Sequence, residues 1–353
     1  MHIGLPKEIK DGEFRVALTP EAVQALARFG HVVTVQPGAG VEAGFADAEY
    51  SGAGAQLGDP WRAQLLVKVK ELQPAEFGRA RPEHTIFCYH HFGPDRALLE
   101  AALRSGATYV AFETVGEADG SLPILAPMSA IAGRLAVQAG AWFLQKHNGG
   151  SGVLLSGVAG APPGRVVIIG AGNVGANALA VASGIGAEVR VFARSARRFP
   201  ALQARHADAR FDTDLGALAD AVADADLVIG GALVPGGVAP KLLTRGMLRR
   251  MRRGSVLADV AIDQGGVAET SHPTRHSAPT FVEEGVLHYC VPNMPSACAR
   301  TASIALSNAA LPWVLELAAG KASPALRTGF QVRAGKVVHA QLARDTGRPC
   351  ETL

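Results

Sequence analysis

The sequence is poor in cysteine, has no long apolar run, and carries no block of charge of one sign. Its four cysteines, Cys88, Cys290, Cys298 and Cys350, show no CxxC spacing. That argues against a metal site and suits a reduced, cytoplasmic setting. No apolar stretch reaches the ~18 residues of a membrane span. No charged segment followed by an apolar core opens the chain, so neither a membrane partner nor a secretory signal is expected. Lysine and arginine number 34 against 31 aspartates and glutamates, for a net charge of +3. The basic residues are scattered, which excludes the concentrated basic face of a nucleic-acid binder. The densest group, Arg249, Arg250, Arg252 and Arg253, reads as a solvated helix end. Internal repeats and low-complexity segments are also missing.

What is present is alternation. A length of 353 residues suggests roughly two domains. Thr19-Pro20-Glu21 reads as a helix start, with Thr19 as N-cap and proline at the first helical position. Strands are expected at His31–Val35, Leu65–Lys70, Thr85–Tyr89 and Thr108–Phe112, with helices between them. A long, weakly charged helix is expected over Ser129–His147, bridging into a second domain with strands at Arg165–Ile169, Glu188–Phe192, Leu227–Ile229 and Val256–Val260. Ala302–Ala319, with Pro312 inside it, reads as an apolar helix packed between domains, and the tail after Ser323 returns to the first domain. Such alternation implies an α/β fold built on parallel sheets.

Gly170-Ala171-Gly172-Asn173-Val174-Gly175 is a GxGxxG loop in its proper setting. It follows the apolar strand Arg165–Ile169 and opens a helix of small residues. Gly170 permits the turn, Gly172 lets the backbone approach a pyrophosphate, and Gly175 allows close helix–strand packing; the helix amides supply the anion site. An NAD-binding fold usually places an acid at the end of the next strand, to accept from the ribose 2′-hydroxyl. Here that place reads Ala193-Arg194-Ser195-Ala196-Arg197-Arg198. An arginine can pair with a 2′-phosphate and a serine can donate to it. The loop therefore binds NADP or NAD, and Arg194 and Ser195 favour NADP. The alternative is that Arg194 is a solvated loop residue and NAD is held through other groups.

Several strings resemble the alanine dehydrogenase and pyridine nucleotide transhydrogenase family. They are Gly4-Leu5-Pro6-Lys7-Glu8, Glu13–Pro20, Val67–Glu71, Leu125-Ala126-Pro127-Met128-Ser129, Ala225–Gly230, Asp259–Gly266 and Asn293-Met294-Pro295. The resemblance spans nearly the whole chain. It implies two Rossmann-like domains, each a doubly wound parallel sheet, with a cleft between them. Residues 1–128 and 305–353 would form the substrate domain, and residues 129–304 the NAD(P)-binding domain. It further implies reversible oxidative deamination of a small L-amino acid to a 2-oxo acid and ammonia. By the same resemblance, Arg15 would bind the substrate carboxylate, Lys70 would polarise the 2-oxo group, His91 would move the proton, and Asp263 would act near the nicotinamide. Nucleotide contacts are implied at Ser129, Leu233, Val260, Asp263, Asn293 and Met294. Homo-oligomers, hexamers or dimers, are common in such a family.

Spacing alone does not separate Lys68 from Lys70, since residues two apart on a strand share a face. Adjacent His90 and His91 would face opposite sides of a continuing strand, so only one could enter the cleft; the resemblance selects His91. The chain departs from the family pattern at His90, at Phe92-Gly93-Pro94, at Ala193-Arg194-Ser195 and at Ala130. These departures keep open an NADP-dependent enzyme or imine reductase acting on another small amino acid. A nucleotide-binding subunit of the transhydrogenase type, or a non-catalytic regulatory protein, are the other classes. Neither would need Arg15, Lys70, His91 and Asp263 together.

Overall fold

The computed structural model describes residues 1–232 and 239–353. Leu233, an expected nucleotide contact, lies outside the described residues. The chain forms two compact units, Met1–Met128 with Ser296–Leu353, and Ser129–Pro295. The first contains β1 (His2–Leu5), β2 (Val32–Val35), β3 (Gln56–Leu57), β4 (Leu65–Val67), β5 (Thr85–Cys88) and β6 (Thr108–Ala111). The second contains β7 (Arg165–Ile169), β8 (Glu188–Phe192), β9 (Arg210–Asp212), β10 (Leu227–Gly230), β11 (Val256–Asp259), β12 (Thr280–Glu283) and β13 (Val286–Tyr289). The chain then returns to the first sheet with β14 (Phe330–Arg333) and β15 (Lys336–Val337).

Both sheets follow one plan. The first runs β3-β2-β1-β4-β5-β6, all parallel, with β14 and β15 added antiparallel at the β6 edge. The second runs β9-β8-β7-β10-β11-β13, all parallel, with β12 antiparallel on β13. This is the doubly wound 3-2-1-4-5-6 order, and it reverses direction between β1 and β4 and between β7 and β10. Ligands of such sheets bind beyond the carboxyl ends of the strands at that reversal. The strands are continuous apolar runs because both of their faces are covered. In β7, Val166 and Ile168 enter one core cluster while Val167 and Ile169 enter another on the opposite face, the two-residue alternation of a strand.

Thr19 occupies the expected N-cap of the Pro20–Arg28 helix, with Pro20 in its first turn; its side chain makes no cap bond, and its backbone N–H donates to Ser307 Oγ at 3.0 Å. Three local expectations are corrected. The strand through Lys70 ends at Val67. The bridging helix spans Leu125–Phe143; Pro127 lies in its first turn, where a missing N–H costs nothing, so the helix begins before Ser129. The first unit takes the chain back at Ser296 rather than at 305, because the Ala299–Ala318 helix packs on the Pro20–Arg28 helix and β4. No helix among the described residues is long and apolar enough to cross a membrane.

Candidate active site

The glycine loop leaves β7 at the reversal point of the second sheet, and its three glycines have three different reasons to be glycine. Gly170 has φ +108, and a Cβ there would lie 2.7 Å from the carbonyl oxygen of Gly231. A Cβ on Gly175 would overlap the carbonyl oxygen of Gly170. At Gly172, which precedes the Asn173–Gly184 helix without a side-chain cap, a Cβ would meet nothing within 4 Å. A helix start leaves its first-turn amides without intrahelical acceptors, and the open space beside Gly172 is room in which a pyrophosphate would fit. Asn173 is exposed there and Val174 half-buried. Arg198 Nη1 donates to Asn173 Oδ1 at 3.4 Å, a link across two segments that the sequence does not announce. Beyond β8, Arg194 and Ser195 are exposed, and Ser195 Oγ accepts from the N–H of Arg197 at 3.3 Å.

At the carboxyl end of β11 two aspartates part company. Asp259 is buried and accepts from Ala261 N at 3.2 Å, Val267 N at 2.7 Å and Ser271 Oγ at 2.6 Å, so it shapes the turn. Asp263 is exposed on the short Val260–Gln264 helix, with Val260 half-buried beside it. Ser129 is half-buried on the Leu125–Phe143 helix. Asn293 has φ +60, a left-handed conformation that asparagine tolerates. Met294, next to it, is buried in the core of the second unit.

The first sheet carries charged side chains at the matching place. Arg15 is buried, and Glu13 grips one edge of its guanidinium, Nε to Oε1 at 2.7 Å and Nη2 to Oε2 at 2.6 Å. The other edge turns Nη1 to Met128 Sδ at 3.2 Å. Burial opposes the charge of Arg15, but Glu13 more than offsets it and the guanidinium's pKa is raised. Lys68 and Lys70 have different surroundings. Lys68 is 0% exposed, bonded to Glu76 at 2.8 Å and paired with Glu8 at 3.4 Å. Lys70, 8% exposed, has Nζ 5.9 Å from the ring centre of Tyr89. Burial pushes the Glu8 carboxyl up to about 7 against the pull of Lys68.

The histidines separate just as sharply. His90 is in the core, its ring stacked on Phe92 and its Nε2 3.2 Å from the carbonyl oxygen of Ile86. Burial holds its pKa down. The side chain of His91 is 42% exposed, with Nδ1 3.5 Å from Glu71 Oε2 and the ring stacked on Tyr89 at 6.0 Å. Glu113 accepts from the backbone N–H of both, His90 at 3.1 Å and His91 at 2.9 Å. Tyr89 is thus the shared wall. Lys70 and His91 lie against its ring, and the charge of Arg15 acts on its hydroxyl, which donates to Ile124 O at 2.9 Å. The fourth expected residue, Asp263, belongs to the second unit.

Sequence reasoning missed Tyr89 and the carboxylates Glu8, Glu13, Glu71, Glu76 and Glu113. Glutamates are common, and only the fold shows which ones meet a cation. Residues 4–132 match the family domain "Alanine dehydrogenase/PNT, N-terminal domain", and residues 136–340 match "Alanine dehydrogenase/PNT, C-terminal domain". The chain belongs to the alanine dehydrogenase/PNT family. Among its relatives in that family, the alanine dehydrogenase of Halomonas elongata is 50% identical, over 98% of this chain and 97% of that one. The alanine dehydrogenase of Mycobacterium tuberculosis is 46% identical, over 99% and 98%. Among solved structures, an L-alanine dehydrogenase aligns over 98% of this chain and 99% of its own, with TM-score 0.94 and 44% identity. A transhydrogenase from Sinorhizobium meliloti aligns over 96% and 99%, with TM-score 0.82 and 26% identity. The alanine dehydrogenase/PNT fold is therefore carried through both units.

Proposed function

We propose that this chain is a nicotinamide-dependent alanine dehydrogenase, interconverting L-alanine and water with pyruvate and ammonia. The observation that carries the reading is the group formed around Tyr89 at the reversal point of the first sheet. It supplies a cation for a carboxylate, a second cation for a carbonyl or imine, and an imidazole for proton transfer. A module that only holds a nucleotide has no use for that set.

The bound dinucleotide supplies the hydride acceptor or donor. Gly170, Gly172, Asn173, Val174 and Gly175 hold its pyrophosphate, and Ser129, Val260, Asp263, Asn293 and Met294 are assigned to its nicotinamide half. Arg15, steadied by Glu13, binds the substrate carboxylate through its guanidinium. Lys70 donates to the 2-oxo oxygen or the imine nitrogen and stabilises negative charge as it develops. His91 takes a proton from the substrate or attacking water in one direction and returns it in the other. Asp263 steadies positive charge on the reacting nitrogen.

The cofactor is NADP in preference to NAD. The support is the exposed Arg194 and Ser195 after β8, with Arg198 reaching back to Asn173. An acid in that place would repel a 2′-phosphate; two arginines attract one. A matrix of NADPH and NADH against pyruvate, other small 2-oxo acids and ammonia tests both statements. Ammonia-dependent oxidation fastest with pyruvate, and kcat/KM higher for NADPH, is the expected result. Equal or better use of NADH removes the cofactor assignment. Turnover fastest with another 2-oxo acid removes the substrate assignment.

A further inference from the structure

Resting on the assignment of His91 as the proton-transfer group, we propose that Glu71 is its positioning residue: it fixes the imidazole with hydrogen on Nδ1, leaving Nε2 as the atom that exchanges protons with substrate. Glu71 follows Lys70 at the carboxyl end of β4, and its side chain is 12% exposed. Lys10 Nζ pairs with Oε1. Oε2 has His91 Nδ1 as its ion-pair partner at 3.5 Å, and no hydrogen bond of full geometry. A buried carboxylate oxygen in that condition calls for a donor, and such contacts tighten when substrate is bound.

Two further contacts make the arrangement directional. The Tyr89 ring stacks on the imidazole, with planes 26° apart, and fixes its tilt. Glu113 holds the backbone amides of His90 and His91, with His91 at φ +49, a conformation that non-glycine residues adopt rarely. Ring and backbone are therefore each held, and Nδ1 lies 3.5 Å from Glu71 Oε2. Burial disfavours the Glu71 charge, but His91, Lys70 and Lys10 together hold its carboxyl far below the usual range. It stays an acceptor throughout the working pH range. A carboxylate on Nδ1 selects the Nδ1–H tautomer and orients the ring. In deamination the Nε2 lone pair takes a proton and the ring becomes an imidazolium beside Glu71; in amination the Nε2–H bond breaks and the proton goes to substrate. Between His91 and substrate only that proton is exchanged; the hydride passes to or from the nicotinamide.

Among the described residues, Glu71, Tyr89, His90 and Glu113 lie against His91 and Lys10 and Lys70 act on Glu71, and two of these groups can be changed to push in opposite directions. Glu71→Gln keeps an acceptor oxygen and removes the charge. It is expected to lower kcat about 10–100-fold, with KM for alanine within about 3-fold. It should also move the acidic limb of the deamination kcat profile to lower pH. Lys10→Met, at a partly exposed position, removes one of the cations that offset the Glu71 charge and should move the same limb to higher pH, so the inference stays testable if Glu71→Gln folds poorly. Limbs that stay at the wild-type pH in both variants, with kcat and thermal stability falling together, would make Glu71 a structural residue and overturn the proposal. His91→Ala separates the two ideas. Full turnover in His91→Ala removes the assignment of His91 itself, whereas its loss beside unmoved limbs removes only the role of Glu71.

Discussion

In the second sheet the strand ends beside the reversal point are glycine and bare backbone; in the first, the equivalent ends hold Glu8, Lys68, Lys70 and Glu71. The strand order is the same. What differs is the ligand each edge can take. A pyrophosphate is large and multiply charged, and on the proposed assignment the helix start with room above Gly172 would bind it through backbone amides. A small 2-oxo acid offers one carboxylate and one reacting carbon, so its edge needs long charged side chains held in place. Holding them requires counter-charges, and carboxylates stand behind three of these side chains: Glu13 behind Arg15, Glu8 and Glu76 behind Lys68, Glu71 behind His91.

That contrast can be broken from either side, and the largest effect is expected at Lys68. Lys68→Met leaves Glu8 and Glu76 buried without their cation and should cost about 3–5 kcal/mol of folding stability, read as a lowered denaturant midpoint. Arg15→Ala should lower kcat/KM for pyruvate about 100–1,000-fold in steady-state assays, while nucleotide affinity measured by titration stays near that of the wild type. In the second unit the glycines should separate stability from binding. Gly175→Ala forces a Cβ onto Gly170 O and should destabilise the chain by about 1–3 kcal/mol. Gly172→Ala meets no protein atom and should keep the melting temperature while weakening nucleotide binding. If Gly172→Ala binds nucleotide as well as wild type, the open space is not the phosphate cradle.

A last effect concerns pH. Glu8 keeps its proton up to about pH 7 in the folded chain, against an ordinary value of 4.5. The folded state therefore binds the extra proton between these values. Stability from Glu8 is full below 4.5 and declines as pH rises to about 7. Glu8→Gln should flatten that part of the stability profile, read as melting temperature against pH; an unchanged slope counts against a protonated Glu8.

How legible each edge is in the sequence follows from the same contrast. The glycine loop is readable because its demands are local: turn, approach and packing fall within six residues. Lys68 and Lys70 are not separable by spacing, since the strand stops at Val67 and the partners that divide them come from other segments. His90 and His91 are divided by a φ of +49 at His91 and by Glu113, twenty-two residues on. Thr19 shows the reverse: a helix-cap signature at the right position, whose backbone amide instead meets Ser307 from the far end of the chain.

The most direct test of the central claim is the rate of NADPH oxidation with pyruvate, with and without ammonia, in the wild type and in Arg15→Ala. Oxidation should need both pyruvate and ammonia and fall steeply in the variant, although nucleotide still binds. A wild-type chain that binds nucleotide and oxidises none with pyruvate and ammonia would contradict it.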